Sequence, residues 1–341
     1  MDNRNPVVVV GVCAPERRSY AERLTQVIDG HLLPLVEGGP ARGQQSVELH
    51  PAHPSIARRP AQIVADLTSD LDLPHLPLAQ DPDTSVICVI DTVHLEHDLR
   101  DGAPLIAGAP EGDDRRDFGS RARRAASYVE GATLIVFVNW ESTPTAELSL
   151  LMALASHLNP TARVRLSRDP AEDLRALRAS PRLAPPLLER AGWVHSLNDE
   201  HDPHMTDPRV TTARYEQPRP FHPARLHTAL DDIASGHHGE VLRSAGFCRL
   251  ASRTGILARW DQVGSAIWID PLSTDLETAS TVQDLALTGL DLDHAGLRTA
   301  LDDATVTDDE LTAGPTAWRG FSDPLPAWPS IVDRAGRSGD Q

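Results

Sequence analysis

The stretch "VVVVGVCAPERRSYAERL", Val7 to Leu24, joins an unbroken apolar run to a helical pattern through one glycine. Four valines in a row read as a buried strand, Val7 to Val10, Gly11 as a turn, and Arg17 to Ile28 as an amphipathic helix. A strand, a glycine turn and a helix start are the setting of a phosphate-binding loop, because free N–H groups at a helix N-terminus attract anions. A working loop follows GxxxxGK[ST]: the glycines let the backbone approach the phosphates, the lysine meets the β/γ charge, and the hydroxyl holds magnesium. Counting from Gly11, the second glycine falls on Glu16, the lysine on Arg17 and the hydroxyl on Arg18. Glu16 would set a carboxylate among phosphate oxygens, and like charges ~4 Å apart repel by roughly 4 kcal/mol at an effective dielectric of ~20. Arg17 keeps a positive charge but carries it on a planar fork. It reads either as an ordinary surface arginine of the helix or as the remnant of a phosphate contact.

The lysine is missing from the whole chain: all 32 Lys and Arg positions are arginine. That excludes Schiff-base chemistry as well as a P-loop lysine. The 341 residues suggest two domains. With 40% apolar but only 4% aromatic residues, the cores must be built mainly from Leu, Val, Ile and Ala. A formal charge of −17 argues against a nucleic-acid footprint, which needs clustered cations, and suits a basic partner instead. Cys13, Cys88 and Cys248 are odd in number and far apart, unlike a disulfide framework or a zinc knuckle. No signal-peptide pattern and no run long enough to span a bilayer is visible, so a cytoplasmic protein without a membrane partner is expected.

Along the first half, strands alternate with helical patterns, as in a parallel sheet of βαβ units. The further strand candidates are Ser85 to Ile90, Thr133 to Val138 and Arg163 to Leu166, with helices at Ser120 to Val129, Thr145 to His157 and Ala171 to Arg178. Gly38 to Arg59 and Asp101 to Asp117 read as long loops. A composition shift near Asp207 sets the expected domains at residues 1–206 and 207–330, followed by a frayed tail at 331–341. The second domain reads as α+β. A strand "VTTARYE" leads to a helix entered through "RPFHPARL", then to three glycine-broken strands, a fourth in "QDLALTGLDL", and a helix through "HAGLRTALDDA". "TDDEL", Thr307 to Leu311, is a helix N-terminus with an acidic first turn.

"RPFHPARLH" (Arg219 to His227) and "VLRSAGFCRLASR" (Val241 to Arg253) resemble the C-terminal domain of the CobW-like GTPases. Similar too are "LNPTARV" (Leu158 to Val164), "DLALTGLDLD" (Asp284 to Asp293), and "SVICVID" followed later by "LIVFVN". The resemblance implies a P-loop NTPase-like parallel-sheet domain followed by a smaller α+β domain. Members of this family are P-loop GTPases that act as metal chaperones, many with a Gly-Cys-x-Cys-Cys motif. This sequence departs from that pattern: there are no paired cysteines, and the guanine-reading Asn-Lys-x-Asp is replaced by Asn139, Trp140, Glu141 and Ser142. The remnant nucleotide site is therefore Gly11, Arg17, Asp91 and Asn139, of which Asp91, at a strand end, also reads as a helix cap.

One branch looks closer, the actinobacterial CobW-like proteins that recruit a ribosome hibernation factor during zinc starvation. The arginine-only composition, "AGWVHSLNDEHDPHMTDPRV" and "RSAGFCRLASR" are similar to that branch. The resemblance implies recruitment of a hibernation factor to the ribosome, with no cofactor required. Its alternative is a zinc- or cobalt-handling GTP-binding metallochaperone that takes GTP, magnesium and zinc through histidine ligands. Candidate metal ligands are His222, His201, His204 and Cys248, against which Pro203 breaks any helix joining His201 to His204. His222 reads equally as an imidazole fixing a helix entry. The candidate partner surface is Arg219, Phe221, His222, Arg243, Phe247 and Arg249; on a strand, Arg243, Phe247 and Arg249 alternate onto one face, which a half-exposed sheet would equally show. "RARR", Arg121 to Arg124, reads as a solvated face balanced by Asp113, Asp114 and Asp117.

Overall fold

The computed structural model describes residues 5–35, 62–69, 71–100, 120–179, 185–272 and 282–328. The opening stretch folds as β1 (Val7–Val10) and α1 (Ala14–Val27), and β2 (His31–Leu35) and β3 (Ile63–Leu67) follow. Next come α2 (Pro77–Gln80), β4 (Ser85–Asp91), α3 (Leu95–Arg100), α4 (Arg121–Gly131) and β5 (Leu134–Val138). The first sheet closes with α5 (Thr145–Leu158), β6 (Arg163–Leu166) and α6 (Pro170–Arg178).

All six strands are parallel, in the order β2-β3-β1-β4-β5-β6. Alternation along β1 explains the valine run. Val8 and Val10 pack on one face with Phe137 and the α4 and α5 side chains. Val7 and Val9 pack on the other with Tyr20, Ala21 and Leu24 of α1 and Leu174 of α6. A sheet covered on both faces needs apolar side chains at every position, not at every second one. The expected strands and helices are all present here, and β2 and β3 are two that the sequence reading did not mark. The expected loops at Gly38 to Arg59 and Asp101 to Asp117 lie outside the described residues.

Beyond β6, the short helix α7 (Gly192–Leu197) precedes β7 (Val210–Gln217), α8 (Pro223–Ala234), β8 (Glu240–Cys248), β9 (Ala258–Val263), β10 (Ala266–Pro271) and β11 (Gln283–Leu290). α9 (His294–Asp303) and α10 (Asp308–Trp318) follow. These strands form an antiparallel sheet in the order β10-β9-β8-β11-β7. One face holds Tyr215, Val241, Leu285 and Leu287 against Leu226 and Ile233 of α8 and Leu297 and Leu301 of α9. The other face turns toward the first sheet's helices, so that Val210, Leu242 and Val263 join the core built on α4 and α5. Thr307 and Glu310 form a reciprocal capping box at the start of α10.

Charge also crosses between the two halves. Arg243 donates to Glu130 of α4 and to Asp261, both at 2.6 Å, and Arg123 of α4 also reaches Asp261 at 2.7 Å. Arg100 forks onto Glu240. A register shift opposite Thr288 and Gly289 leaves Leu242 as the extra residue of a bulge, which re-aims β8 toward α4. Two expectations about charge are thereby corrected. The "RARR" segment is no solvated face: Arg121 pairs with Asp98, Arg123 with Asp261 and Arg124 with Asp72. Arg243, 4% exposed, is an internal ion-pair partner and not part of a free surface. No described helix is long and apolar enough to cross a membrane.

Candidate functional site

In open α/β sheets the ligand crevice lies at the carboxyl ends of the strands where the strand order reverses. Here the chain runs from β1 out to β2, back to β3 beside β1, and over to β4 on the other side. The crevice therefore belongs to the ends of β1, β3 and β4, where Gly11, Asp66 and Asp91 lie.

Gly11, Val12 and Cys13 are the whole connection between β1 and α1, which starts at Ala14 with Pro15 in its first turn. That is shorter than the four-residue spacer between the glycines of a phosphate loop, and Pro15 removes one N–H from the helix start. Gly11 sits at φ +154°, and a Cβ there would lie 2.4 Å from the Val89 carbonyl oxygen, so the turn is pressed onto β4.

Arg17 folds into this turn. Its Nε donates to Asp66 Oδ1 at 2.7 Å and its Nη1 to the Gly11 carbonyl oxygen at 2.9 Å, and the residue is 4% exposed. The surface-arginine reading is thus corrected for Arg17; its neighbour Arg18 is the exposed one, paired with Glu22. Arg17 points back at the loop because Asp66, on the strand beside β1, supplies a buried carboxylate that must be paired. Beside it, Arg121 Nε holds Asp98 Oδ1 at 2.6 Å, and the Cys13 thiol donates to Asp98 Oδ2 at 3.5 Å. Burial, then the Asp98 charge, pushes the Cys13 thiol up to about 12, so it is no thiolate at neutral pH. The space left between Gly11, Cys13, Asp91 and Asp98 is a cavity of about 10 Å³. That volume, which runs inward to Ala125, Tyr128 and Val129 of α4, accommodates one water at most.

Asp91 is 5% exposed and its Oδ1 accepts from the Val93 N–H at 3.2 Å, a local turn bond, with His94 Nε2 3.6 Å from its other oxygen. Asn139 ends β5 in the left-handed region at φ 56°, and its carbonyl accepts from Thr92 Oγ1 at 3.1 Å. Trp140 donates its indole N–H to the Ser167 carbonyl at 3.0 Å, and Arg168 stacks on the ring at 4.9 Å. Gly11, Arg17 and Asp91 thus converge on one crevice, and Asn139 joins through Thr92. Sequence reasoning missed Asp66, Asp98 and Arg121. The one signal for the first was an aspartate inside the apolar run "IVADL".

The histidine candidates are held separately. His201 Nε2 lies 3.0 Å from the His157 carbonyl oxygen, and His204 Nδ1 lies 3.0 Å from Ser156 Oγ. His222 is the N-cap of α8, with Nδ1 accepting from the Arg225 N–H at 3.5 Å and its ring 4.4 Å from Phe321. Cys248 is fully buried in the second core, and burial raises its thiol to about 12. Among the described residues, no group of three or more His, Cys, Asp or Glu side chains is placed to hold a metal ion.

The partner-surface candidates divide. Phe221 is fully buried, stacked on Tyr215 at 6.2 Å, which corrects its placement on a contact surface as burial corrected Arg243. Phe247 packs edge-on against Trp193 at 6.2 Å. Arg219 pairs with Asp308 at 2.5 Å and Arg249 reaches the Pro218 carbonyl at 2.8 Å, so these two and His222 ring the entry to α8 while remaining partly accessible.

Residues 210–305 match the family model described as the cobalamin synthesis protein cobW C-terminal domain. The matched segment runs from β7 through α9, the whole antiparallel sheet with its two covering helices. The architecture is thus an α/β fold, a P-loop-like parallel sheet followed by a CobW-type C-terminal domain. Over 222 residues the chain is 23% identical to the zinc-regulated GTPase metalloprotein activator 1 of Dictyostelium discoideum, covering 58% of this chain. The match takes in 46% of that relative, about half its length. Among solved structures, the Zn(II)-bound YjiA GTPase from E. coli aligns over 89% of this chain and 100% of its own, with TM-score 0.36 and 12% identity. A Zn(II)-bound triple mutant of YjiA aligns over 73% of this chain and 72% of its own, with TM-score 0.32 and 13% identity.

Proposed function

We propose that this chain is a CobW-like adaptor in which the nucleotide switch has become a fixed scaffold, and that it recruits a ribosome hibernation factor to the ribosome under zinc limitation. The observation that supports the first part is the Arg17 guanidinium, bonded to the Gly11 carbonyl and Asp66 where a phosphate group would be held. An internal cation locked on an internal carboxylate has no charge left for a nucleotide. The second part rests on the resemblance to the recruiting branch and on the net charge of −17, which favours a basic partner through long-range attraction. The contact region on this reading is the entry to α8, around Arg219, His222 and Arg249.

Sedimentation of lysate from zinc-starved cells tests the reading: the protein travels with ribosomes or with the hibernation factor, and a protein found only in the ribosome-free fraction contradicts recruitment. The similarity to a zinc-regulated GTPase metalloprotein activator favours a second reading, a zinc- or cobalt-handling GTP-binding metallochaperone with histidine ligands. Stoichiometric zinc in the purified protein, lost on changing His201 and His204, would select it.

A further inference from the structure

A second concavity, unrelated to the nucleotide crevice, lies where α4 faces the antiparallel sheet. It has a volume of about 500 Å³. That is within the range of pockets that enclose small molecules, and domain junctions are where such pockets concentrate. Arg259, Asp261 and Val263 alternate along β9 onto the face turned toward α4, and Glu130 of α4 lies across from them.

The charges here are almost, but not fully, balanced. Arg123 and Arg243 are matched by Glu130 and Asp261. Burial lifts the Glu130 carboxyl above the ordinary range while Arg243 pulls it the other way. Burial also acts to raise Asp261, but the Arg243 and Arg123 guanidiniums outweigh it and hold that carboxyl low. Arg124 is matched by Asp72 at 2.8 Å. Arg259 remains. It is exposed, lines the pocket, and makes no hydrogen bond or ion pair with a described residue, although its charge acts on both Glu130 and Asp261; Asp270, opposite it on β10, does not line the pocket. The opposite wall is apolar: Leu73 and Leu187 are buried at its base, the half-buried Trp193 stands beside them, and Leu188 is 69% exposed at the rim.

We propose that this pocket binds a small organic monoanion with a flat apolar body, its carboxylate or sulfonate group on Arg259 and its body against Trp193 and Leu188. Among the described residues that line the pocket, one cation beyond the paired ones favours a single negative charge, since a second would meet Glu130 and Asp261. The apolar wall supplies the body's affinity, and a charge-assisted bond to guanidinium fixes its direction. The proposal is independent of the recruitment reading, because none of these residues belongs to the α8 entry or the nucleotide crevice.

The test is a fluorescence titration of the full chain with anilinonaphthalene sulfonate, an amphipathic aromatic anion. One saturable site is expected. R259Q weakens it about tenfold or more, with Tm little changed because Arg259 makes no hydrogen bond or ion pair with a described residue, and Trp193→Ala weakens it as well. Arg168→Gln, at the far crevice, leaves it alone. The uncharged phenylnaphthylamine binds without sensitivity to R259Q. Absence of saturable binding, or binding of the sulfonate that R259Q leaves unchanged, overturns the proposal.

Discussion

Arg17 and Asp66 form a buried ion pair, Nε to Oδ1 at 2.7 Å, between the first helix and the strand adjacent to β1. The guanidinium also satisfies the Gly11 carbonyl, so one side chain ties the turn, the helix and the neighbouring strand together. Arg17→Ala strands Asp66 in an apolar surrounding, which costs about 3–5 kcal/mol when one partner of a buried pair is removed. The urea midpoint should fall with the slope unchanged. Replacing both, Arg17→Met with Asp66→Leu, should recover most of the loss; a double variant as unstable as the sum of the singles would argue that the pair is not coupled.

Gly11→Ala probes the same turn from the backbone. The added Cβ meets the Val89 carbonyl at 2.4 Å in a conformation that L residues rarely adopt. The expected cost exceeds about 1 kcal/mol. Scanning calorimetry should show a lower Tm, and an unchanged Tm would mean that the turn is not pressed onto β4.

The histidine pair predicts how stability depends on pH. His157 and His201 lie with ring centroids 5.2 Å apart, and His157 Nδ1 bonds Thr212 Oγ1 at 2.9 Å. Burial, then the His201 charge, lowers His157 to about 4, and burial lowers His201. Between about pH 4 and the ordinary value near 6.5 the unfolded chain binds more protons than the folded one, so this contribution is complete above about 6.5 and is lost on acidification toward 4. Denaturant melts across that window should show stability falling with pH, and His157→Gln should flatten the fall. Equal slopes for both proteins would remove His157 from the explanation.

Arg243 holds Glu130 of α4 and Asp261 of β9 from a single buried guanidinium. Arg243→Ala leaves Asp261 paired with Arg123 but takes from Glu130 the guanidinium that holds it, at about 3–5 kcal/mol. Because the network joins the two sheets' layers, calorimetry should show one transition for the parent and two for the variant. A uniform downward shift with one transition would place the cost inside the second sheet alone.

Of the strands marked in the sequence, β1, β4 and β5 have runs apolar enough to stand between two helical layers, while β6, "RVRL", is a short edge strand with two arginines. β2, "HLLPL", carries a proline and a histidine, as an edge strand tolerates, and β3, "IVADL", is interrupted by Asp66. That interruption is the carboxylate the crevice is built on, so the strand was obscured by its most informative residue. Burial of Arg17 was not legible because its partner is 49 positions away, and a charge on a helix looks solvated until its partner is found. The same holds for "RARR", whose three acids come from three separate segments. The second sheet was more legible, since its strands are sequential and hairpin-joined from β8 to β10. Its far face was not, because only the packing of α4, α5 and α7 reveals that Arg243 and Phe247 lie covered.

Equilibrium dialysis of the purified full chain against GTP and magnesium measures the central claim most directly. With Arg17 locked on Asp66 and the Gly11 carbonyl, no saturable binding is expected at ligand concentrations up to the millimolar range. Saturable binding, with hydrolysis that disappears on changing Arg17, would contradict the account.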